Sequence, residues 1–546
     1  MTTTVRDAAF EVMRGCGFDR IFANPGSTEI SFLTDLPEDF AFVLALHEGS
    51  VVGMATGYAL ATGRPAFVNL HTTAGLGNAV GALATARENR APLVVVVGQQ
   101  DRRHLALEPF LAGRLEGLCG SYPVWTCQPV RAQDVPGAIR RASHEAAQHN
   151  GPAIVFVPMD DWSADFDGDL GIGVPASVVR TRTDPNEAVE HLLPLLTNAV
   201  APALVVGAGA DSRAGWDGLA DLAERLGAPV WQEAFGARAG FPQDHPNFAG
   251  HLPSGRAGLR AALHGHDVVL VVGTSAFRQY GYEPGRLVEQ GVTVAVLSAD
   301  PTQLHHSAAD IAVLGDPGSV SAALAAKVPA RGGFESRRRT VSPPQAPVDG
   351  MLAPEQVFVA LAERLPRNAV VVEETPSSRP DLHRLVPARS PGGFLSAAMG
   401  GLGFALPAAA GLRMGDPSRP VVAVLGDGSS LYAIQGLWSA ARYECGVLFI
   451  VLSNGRYAVM DQLAARQGGK PPWPAFDEVS ISGLASSLGC KPLRITTHTA
   501  LLAALDEVIP SLAERTEPLV LEISVSSDEG RALADDAIAT HGEAHS

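Results

Sequence analysis

Val421-Val422-Ala423-Val424-Leu425-Gly426-Asp427-Gly428-Ser429 is the stretch that decides the fold, together with Asn454-Gly455 about 25 residues further on. The apolar run before Gly426 and a second one, Gly446-Val447-Leu448-Phe449-Ile450-Val451-Leu452, each have the length and β-branched content of a strand buried on both faces. The mixed apolar and polar segment between them, Ser430 to Tyr443, reads as a crossover helix. Together they make a βαβ unit, which sets Asp427 and Asn454 side by side at the carboxyl ends of two parallel strands. An aspartate and an asparagine offer hard oxygen ligands suited to Mg²⁺, with Ca²⁺ as a substitute, and leave room for phosphate oxygens and water. The glycines at Gly426 and Gly428 let the backbone, with Ser429 beyond, approach a diphosphate closely. A strand-end turn of small residues is the plain alternative, and a lone Gly-Asp-Gly would leave it standing. The placed asparagine and both flanking strands turn the reading toward cofactor binding.

A second constellation lies far upstream. Asp19 to Ala23 reads as a short strand ending in the turn Asn24-Pro25-Gly26-Ser27. Phe42 to Leu46 reads as another, and Ala66 to Leu70 as a third that ends at His71-Thr72-Thr73. Helices are expected from Glu48 to Ala61 and from near Gly75. Ser27, Glu48 and His71 therefore each lie just past a parallel strand, at the edge where open α/β sheets place ligands. Each has a bland reading when taken alone: Glu48 as a solvated helix-start carboxylate, His71 as a strand-end imidazole bonded to backbone.

The Gly-Asp-Gly…Asn spacing resembles the fingerprint of thiamine-diphosphate enzymes, with Ser453 in place of a first asparagine and Asn454 keeping the ligand position. The upstream segments resemble the pyrimidine-binding domain of the 2-oxo acid decarboxylases in that family. From about residue 5 to about residue 525 the chain is similar to the benzoylformate decarboxylases. The similarity is carried by Asn24-Pro25-Gly26-Ser27, Leu36-Pro37-Glu38-Asp39-Phe40, Asn69-Leu70-His71, Gly98-Gln99-Gln100, Asp160-Asp161-Trp162, His266-Asp267-Val268 and Gly400-Gly401-Leu402-Gly403-Phe404.

The resemblance implies decarboxylation of a 2-oxo acid to an aldehyde and CO₂ through a cofactor ylide and enamine. It points to Glu48 as the carboxylate that shares a proton with N1′ of the aminopyrimidine. Leu402 would prop the bent cofactor, and the Gly400 carbonyl would face its amino group. Ser377 and Tyr457 join Gly426, Asp427, Gly428, Ser429 and Asn454 at the diphosphate. Asp427, Asn454 and the backbone carbonyl of Arg456 would hold the metal. Ser27 would bind the substrate and His71 would move protons beside it. Phe110, Leu111, Met460 and Leu463 suggest an apolar pocket for an aryl or branched group. One departure stands out: Tyr280 replaces a second active-site histidine of the benzoylformate decarboxylases. A phenol is a poorer proton relay than an imidazole at neutral pH, which predicts slower turnover, a different 2-oxo acid or more carboligation. A carboligase or lyase of the acetolactate-synthase or benzaldehyde-lyase kind, and a silent cofactor-binding relative, are the competing readings. The family's sites form between subunits, so a homodimer or homotetramer is implied.

Bulk properties agree. At 546 residues the chain is too long for one core. An α/β protein of three open parallel-sheet domains is expected: pyrimidine-binding at 1–181, central at 182–341 and diphosphate-binding at 342–546 with a polar tail. Strands are expected at Leu93 to Val97, Ala153 to Val157, Ala203 to Val206, Val268 to Val272, Val292 to Leu297 and Ala369 to Val372, and a helix at Asn186 to Leu196. Gly207-Ala208-Gly209 invites a nucleotide-binding reading, but the pattern is incomplete and a structural central domain is favoured. Arg337-Arg338-Arg339 and Pro343-Pro344 read as an exposed linker. Hydrophobic content of 46% fits a compact α/β enzyme, and a net charge of −16 argues against nucleic acid or an anionic membrane as partner. The five cysteines lack metal or CxxC spacing and read as reduced, which points to a cytoplasmic protein.

Overall fold

The computed structural model describes residues 3–167, 184–331 and 351–526. They build three parallel six-stranded sheets. The first holds β1 (Arg20–Asn24), β2 (Ala41–Leu44), β3 (Ala66–Leu70), β4 (Leu93–Gln99), β5 (Trp125–Cys127) and β6 (Pro152–Pro158), in the order β2-β1-β3-β4-β6-β5. The second holds β7 (Pro202–Val206), β8 (Val230–Gln232), β9 (Phe248–His251), β10 (Val268–Val272), β11 (Thr293–Ser298) and β12 (Ile311–Leu314), ordered β12-β11-β10-β7-β8-β9. The third holds β13 (Val370–Glu374), β14 (Phe394–Ser396), β15 (Val421–Gly426), β16 (Leu448–Ser453), β17 (Lys491–Ile495) and β18 (Leu519–Ser524), ordered β14-β13-β15-β16-β18-β17. Helices cover both faces, so the central strands are buried throughout. This is why they appear in sequence as unbroken valine-rich runs rather than alternating ones.

Register places the chemistry. β15 and β16 pair from Val422↔Leu448 to Gly426↔Leu452, so Asp427 and Asn454 leave the sheet as neighbours. β1 and β3 pair from Ile21↔Phe67 to Asn24↔Leu70, which brings the Asn24–Ser27 turn beside His71. Two helices from different sheets then cross closely: Glu48–Thr62 of the first domain lies against Ala405–Gly415 of the third. Glycine permits the approach. A Cβ on Gly57 would overlap the Ala408 carbonyl, and one on Gly411 would overlap that of Met54.

Several expectations need correction. The crossover between β15 and β16 is not one helix over Ser430 to Tyr443 but two, Asp427–Leu431 and Gly436–Arg442. Between them the chain tightens to i→i+3 bonds, from Tyr432 N–H to Ser429 O and from Gly436 N–H to Ala433 O, while Gly436 packs on Leu406. The helix expected from near Gly75 begins at Thr72, because His71 itself is the N-cap residue. β2 stops at Leu44, two residues early, since His47 must turn to cap the next helix through Nδ1 and the Gly49 N–H. The expected domain limits near 181 and 341, the Arg337–Arg339 linker and the polar tail from 527 lie outside the described residues.

Gly207 and Gly209 serve packing. A Cβ on Gly209 would stand 2.8 Å from the Gly273 carbonyl oxygen, and one on Gly207 would overlap Thr274. The glycine turn is filled by protein, in keeping with a structural central domain. The cysteines are unpaired; burial pushes the thiols of Cys445 and Cys490 up to about 12, which makes them poor nucleophiles.

Candidate active site

Asp427 follows β15 at the carboxyl edge of the third sheet and opens the helix Asp427–Leu431. It is 5% exposed. Its Oδ2 accepts the N–H groups of Asn454 (2.8 Å) and Gly455 (2.6 Å), and its Oδ1 accepts that of Gly428 (2.7 Å). Burial pushes this carboxyl above its ordinary range while those donors and the Ser453 hydroxyl pull it back. A buried carboxylate is a place where a divalent ion would be welcome. The Asn454 amide oxygen lies next to it, accepting the Arg456 N–H at 3.1 Å. The Asp427 carboxylate and the Asn454 amide are hard oxygen donors, the kind of group that Mg²⁺ takes. No cluster of three or more His, Cys, Asp or Glu that could hold a metal is found among the described residues.

The surrounding residues are held by packing and backbone bonds. Tyr457 lies against Gly428, where a Cβ would stand 2.6 Å from its ring, and its ring centroid is 5.0 Å from that of Phe476. Ser377, just past β13, accepts the Val459 N–H at 3.1 Å, tying its loop to the helix Ala458–Arg466. Glu374, at the end of β13, accepts three consecutive backbone N–H groups: Gly403 at 2.7 Å, Phe404 at 2.8 Å and Ala405 at 2.7 Å. It thereby anchors the loop that carries Gly400, in the left-handed region at φ +70°, and the half-buried Leu402. Burial outweighs those donors and pushes the Glu374 carboxyl up to about 7. Sequence reasoning missed Glu374; an acidic residue ending an apolar strand was the available signal.

At the edge of the first sheet, Glu48 opens its helix and is only 8% exposed. Asn24 Nδ2 donates to one carboxylate oxygen (3.1 Å) and Asn78 Nδ2 to the other (3.0 Å), so its direction is fixed. His71 is close by through the β1–β3 register. Its Nδ1 lies 3.0 Å from both Thr28 Oγ1 and Glu29 Oε2. Neither Thr28 nor Glu29 was singled out in the sequence. A glutamate three residues past Gly26 looks like an ordinary helix-start acid, and only its 2% exposure sets it apart. Ser27 is exposed beside them.

Tyr280 does not join this cluster. It sits 77% exposed on the loop after β10, with Phe235 as its ring neighbour at 6.5 Å. Phe110 is 88% exposed and Met460 43%, while Leu111 and Leu463 are half-buried. The first and third sheets thus supply two separate polar edges, one with Glu48 and His71, the other with Asp427 and Asn454.

Three family models match the chain: the thiamine pyrophosphate enzyme N-terminal TPP binding domain at 3–116, its central domain at 189–324 and its C-terminal TPP binding domain at 377–523. The chain is 37% identical to benzoylformate decarboxylase of Pseudomonas aeruginosa over 533 residues, covering 96% of this chain and 99% of that one. Among solved structures it is similar to the thiamine diphosphate-dependent 4-hydroxybenzoylformate decarboxylase of Rhodococcus jostii, with TM-score 0.90 and 34% identity over 96% of this chain and 100% of that one. It is also similar to benzoylformate decarboxylase from Polynucleobacter necessarius, with TM-score 0.88 and 33% identity over 96% of this chain and 99% of that one.

Proposed function

The chain belongs to the thiamine pyrophosphate enzyme family, and from that membership we propose the substrate class, metal and assembly with which it works. It is a thiamine-diphosphate-dependent carboxy-lyase of the benzoylformate decarboxylase type, splitting a 2-oxo acid into an aldehyde and CO₂ without net oxidation. The substrate is a 2-oxo acid with an aryl or branched apolar side chain, benzoylformate being the first candidate. The observation that carries the reading is the buried Glu48 carboxylate, clamped by two amides at the strand edge that also presents His71.

When bound, the cofactor supplies the electron sink for the charge left behind by CO₂. Every other part falls to the chain. Asp427, Asn454 and the Arg456 carbonyl hold Mg²⁺, with Ca²⁺ as a substitute. Gly426, Gly428, Ser429, Ser377 and Tyr457 line the diphosphate. Glu48 holds a proton at N1′ of the pyrimidine. The Gly400 carbonyl would face the amino group, and Leu402 would lie against the cofactor. Ser27 orients the substrate carboxylate, and His71 carries protons to and from the reacting carbon. Tyr280 takes the place of a histidine of the benzoylformate decarboxylases, which favours slower decarboxylation, a different 2-oxo acid or a larger share of carboligation.

The protein works in the cytoplasm as a homodimer or homotetramer, with domain divisions near 181 and 341. Among the described residues no helix is long and apolar enough to cross a membrane. The test is a panel of aryl and branched 2-oxo acids, assayed for CO₂ and aldehyde with added thiamine diphosphate and Mg²⁺, with and without an acceptor aldehyde. Aldehyde in step with CO₂ is expected. Absence of CO₂ release across the panel overturns the decarboxylase reading, and 2-hydroxy ketone as the main product favours the carboligase.

A further inference from the structure

The environment of His71 determines which of its nitrogens can work. Its Nδ1 is 3.0 Å from both Thr28 Oγ1 and Glu29 Oε2. The Thr28 hydroxyl has one proton, and it is committed to Glu29 Oε1 at 2.5 Å, a distance typical of an O–H bond to a carboxylate. An ionised carboxylate only accepts. Neither neighbour is therefore left with a proton for Nδ1, so Nδ1 carries its own and donates it. Glu29 Oε2 also takes the Gly26 N–H at 2.7 Å, which leaves the carboxylate fully engaged.

The pair is also walled in by backbone. A Cβ on Gly26 would overlap the His71 ring, and a Cβ on Gly98 would overlap Glu29 Oε1. Glu29 is 2% exposed, whereas the His71 side chain keeps 15%, so the anchor is sealed while the imidazole retains some access.

We propose that Glu29 is a positioning residue for the reaction: with Thr28 it fixes His71 as the Nδ1–H tautomer and presents a bare Nε2 toward the reacting centre. This rests on the reading of His71 as the proton carrier. The neutral ring takes one proton on Nε2 and returns it from the same atom, and Nδ1–H is unchanged throughout. Glu29 touches neither substrate nor cofactor; it acts through the imidazole, as the third member of a nucleophile–base–orienter arrangement does.

Glu29→Gln tests this. The amide can offer N–H to Nδ1 and so favour the wrong tautomer. The expected result is a fall in kcat of about 10²- to 10⁴-fold, by analogy with the carboxylate-to-amide change behind a catalytic histidine. KM and cofactor Kd should move by no more than about threefold, since uniform binding is not touched. In a His71→Ala background the same substitution should leave kcat where it is, because the partner it acts through is gone. An equal fall in both backgrounds overturns the proposal while leaving His71 in its role. A His71→Ala enzyme with full turnover removes that role and the proposal with it. Should Glu29→Gln fail to fold, nitrogen NMR of the wild-type enzyme labelled in histidine decides: a His71 protonated at Nε2 and bare at Nδ1 overturns the assignment.

Discussion

A carboxylate kept from water costs stability unless something else compensates it. Asp427 is 5% exposed and accepts three backbone N–H groups and the Ser453 hydroxyl. Metal and cofactor bound to the folded state alone stabilise it by about 2.7 kcal/mol when present at about 100-fold their Kd. Thiamine diphosphate with Mg²⁺ is therefore expected to raise the melting temperature of the wild-type protein. Asp427→Asn keeps the shape and removes the charge, so its gain should be close to nil in the same thermal scan. An equal rise in both would remove Asp427 from the metal set. The position was readable because Gly-Asp-Gly follows a strand and a second strand returns to an asparagine. Glu29 was not readable, since its distinction is burial against His71 and Gly98, which leaves no spacing in the sequence.

Elements carry the next set of consequences. The Glu374 staple joins the end of β13 to the start of the helix Ala405–Gly415. Its carboxyl titrates near 7 in the fold against an ordinary 4.5, so between those values the folded chain holds more proton than the unfolded one. Raising the pH through that window lowers stability, by an amount on the order of 3 kcal/mol at full extent. Glu374→Gln should remove the slope: relative to wild type, its melting temperature should improve between about pH 5 and about pH 8. A difference independent of pH would refute this. The seam between β9 and the helix Arg379–Leu385 has the opposite sign. His251 and His383 stack there with centroids 4.0 Å apart. Burial pushes His383 down to about 3 and His251 well below its ordinary value. The unfolded chain then binds more protons between 3 and 6.5, and stability falls as pH drops through that window. His383→Phe preserves a ring on His251 and removes one of the two titrations, so acid unfolding should begin at lower pH; circular dichroism against pH reads it. Strand existence was legible from valine runs, but neither this stack nor the break at Tyr432–Gln435 was. The first joins residues distant in sequence, and the second lies in residues that a helix tolerates.

At the scale of the whole molecule, the three-sheet plan could be read from repeated apolar runs, whereas the order of strands within each sheet could not. The proposed assembly follows from what the single chain leaves uncovered. Large apolar side chains stand exposed: Leu46 (45%), Phe110 (88%), Met399 (46%), Tyr432 (56%) and Met460 (43%). Leu46, Met399 and Tyr432 lie within two residues of Glu48, Gly400 and the helix Asp427–Leu431 along the chain, so uncovered surface and candidate chemistry meet there, which favours a second copy as the cover. If Glu48 of one subunit serves a cofactor anchored by Asp427 of another, two dead variants can repair each other. Glu48→Gln chains and Asp427→Asn chains, denatured together and refolded as an equal mixture, should form mixed dimers in half of the pairings. Each mixed dimer contains one site with both defects and one with neither. The mixture is therefore expected to recover about one quarter of wild-type turnover per site, although each variant refolded alone stays inactive. A site built within a single chain has no such route, because every chain then retains its own lesion. Mixed oligomers verified by native mass spectrometry yet inactive would place the whole site inside one subunit.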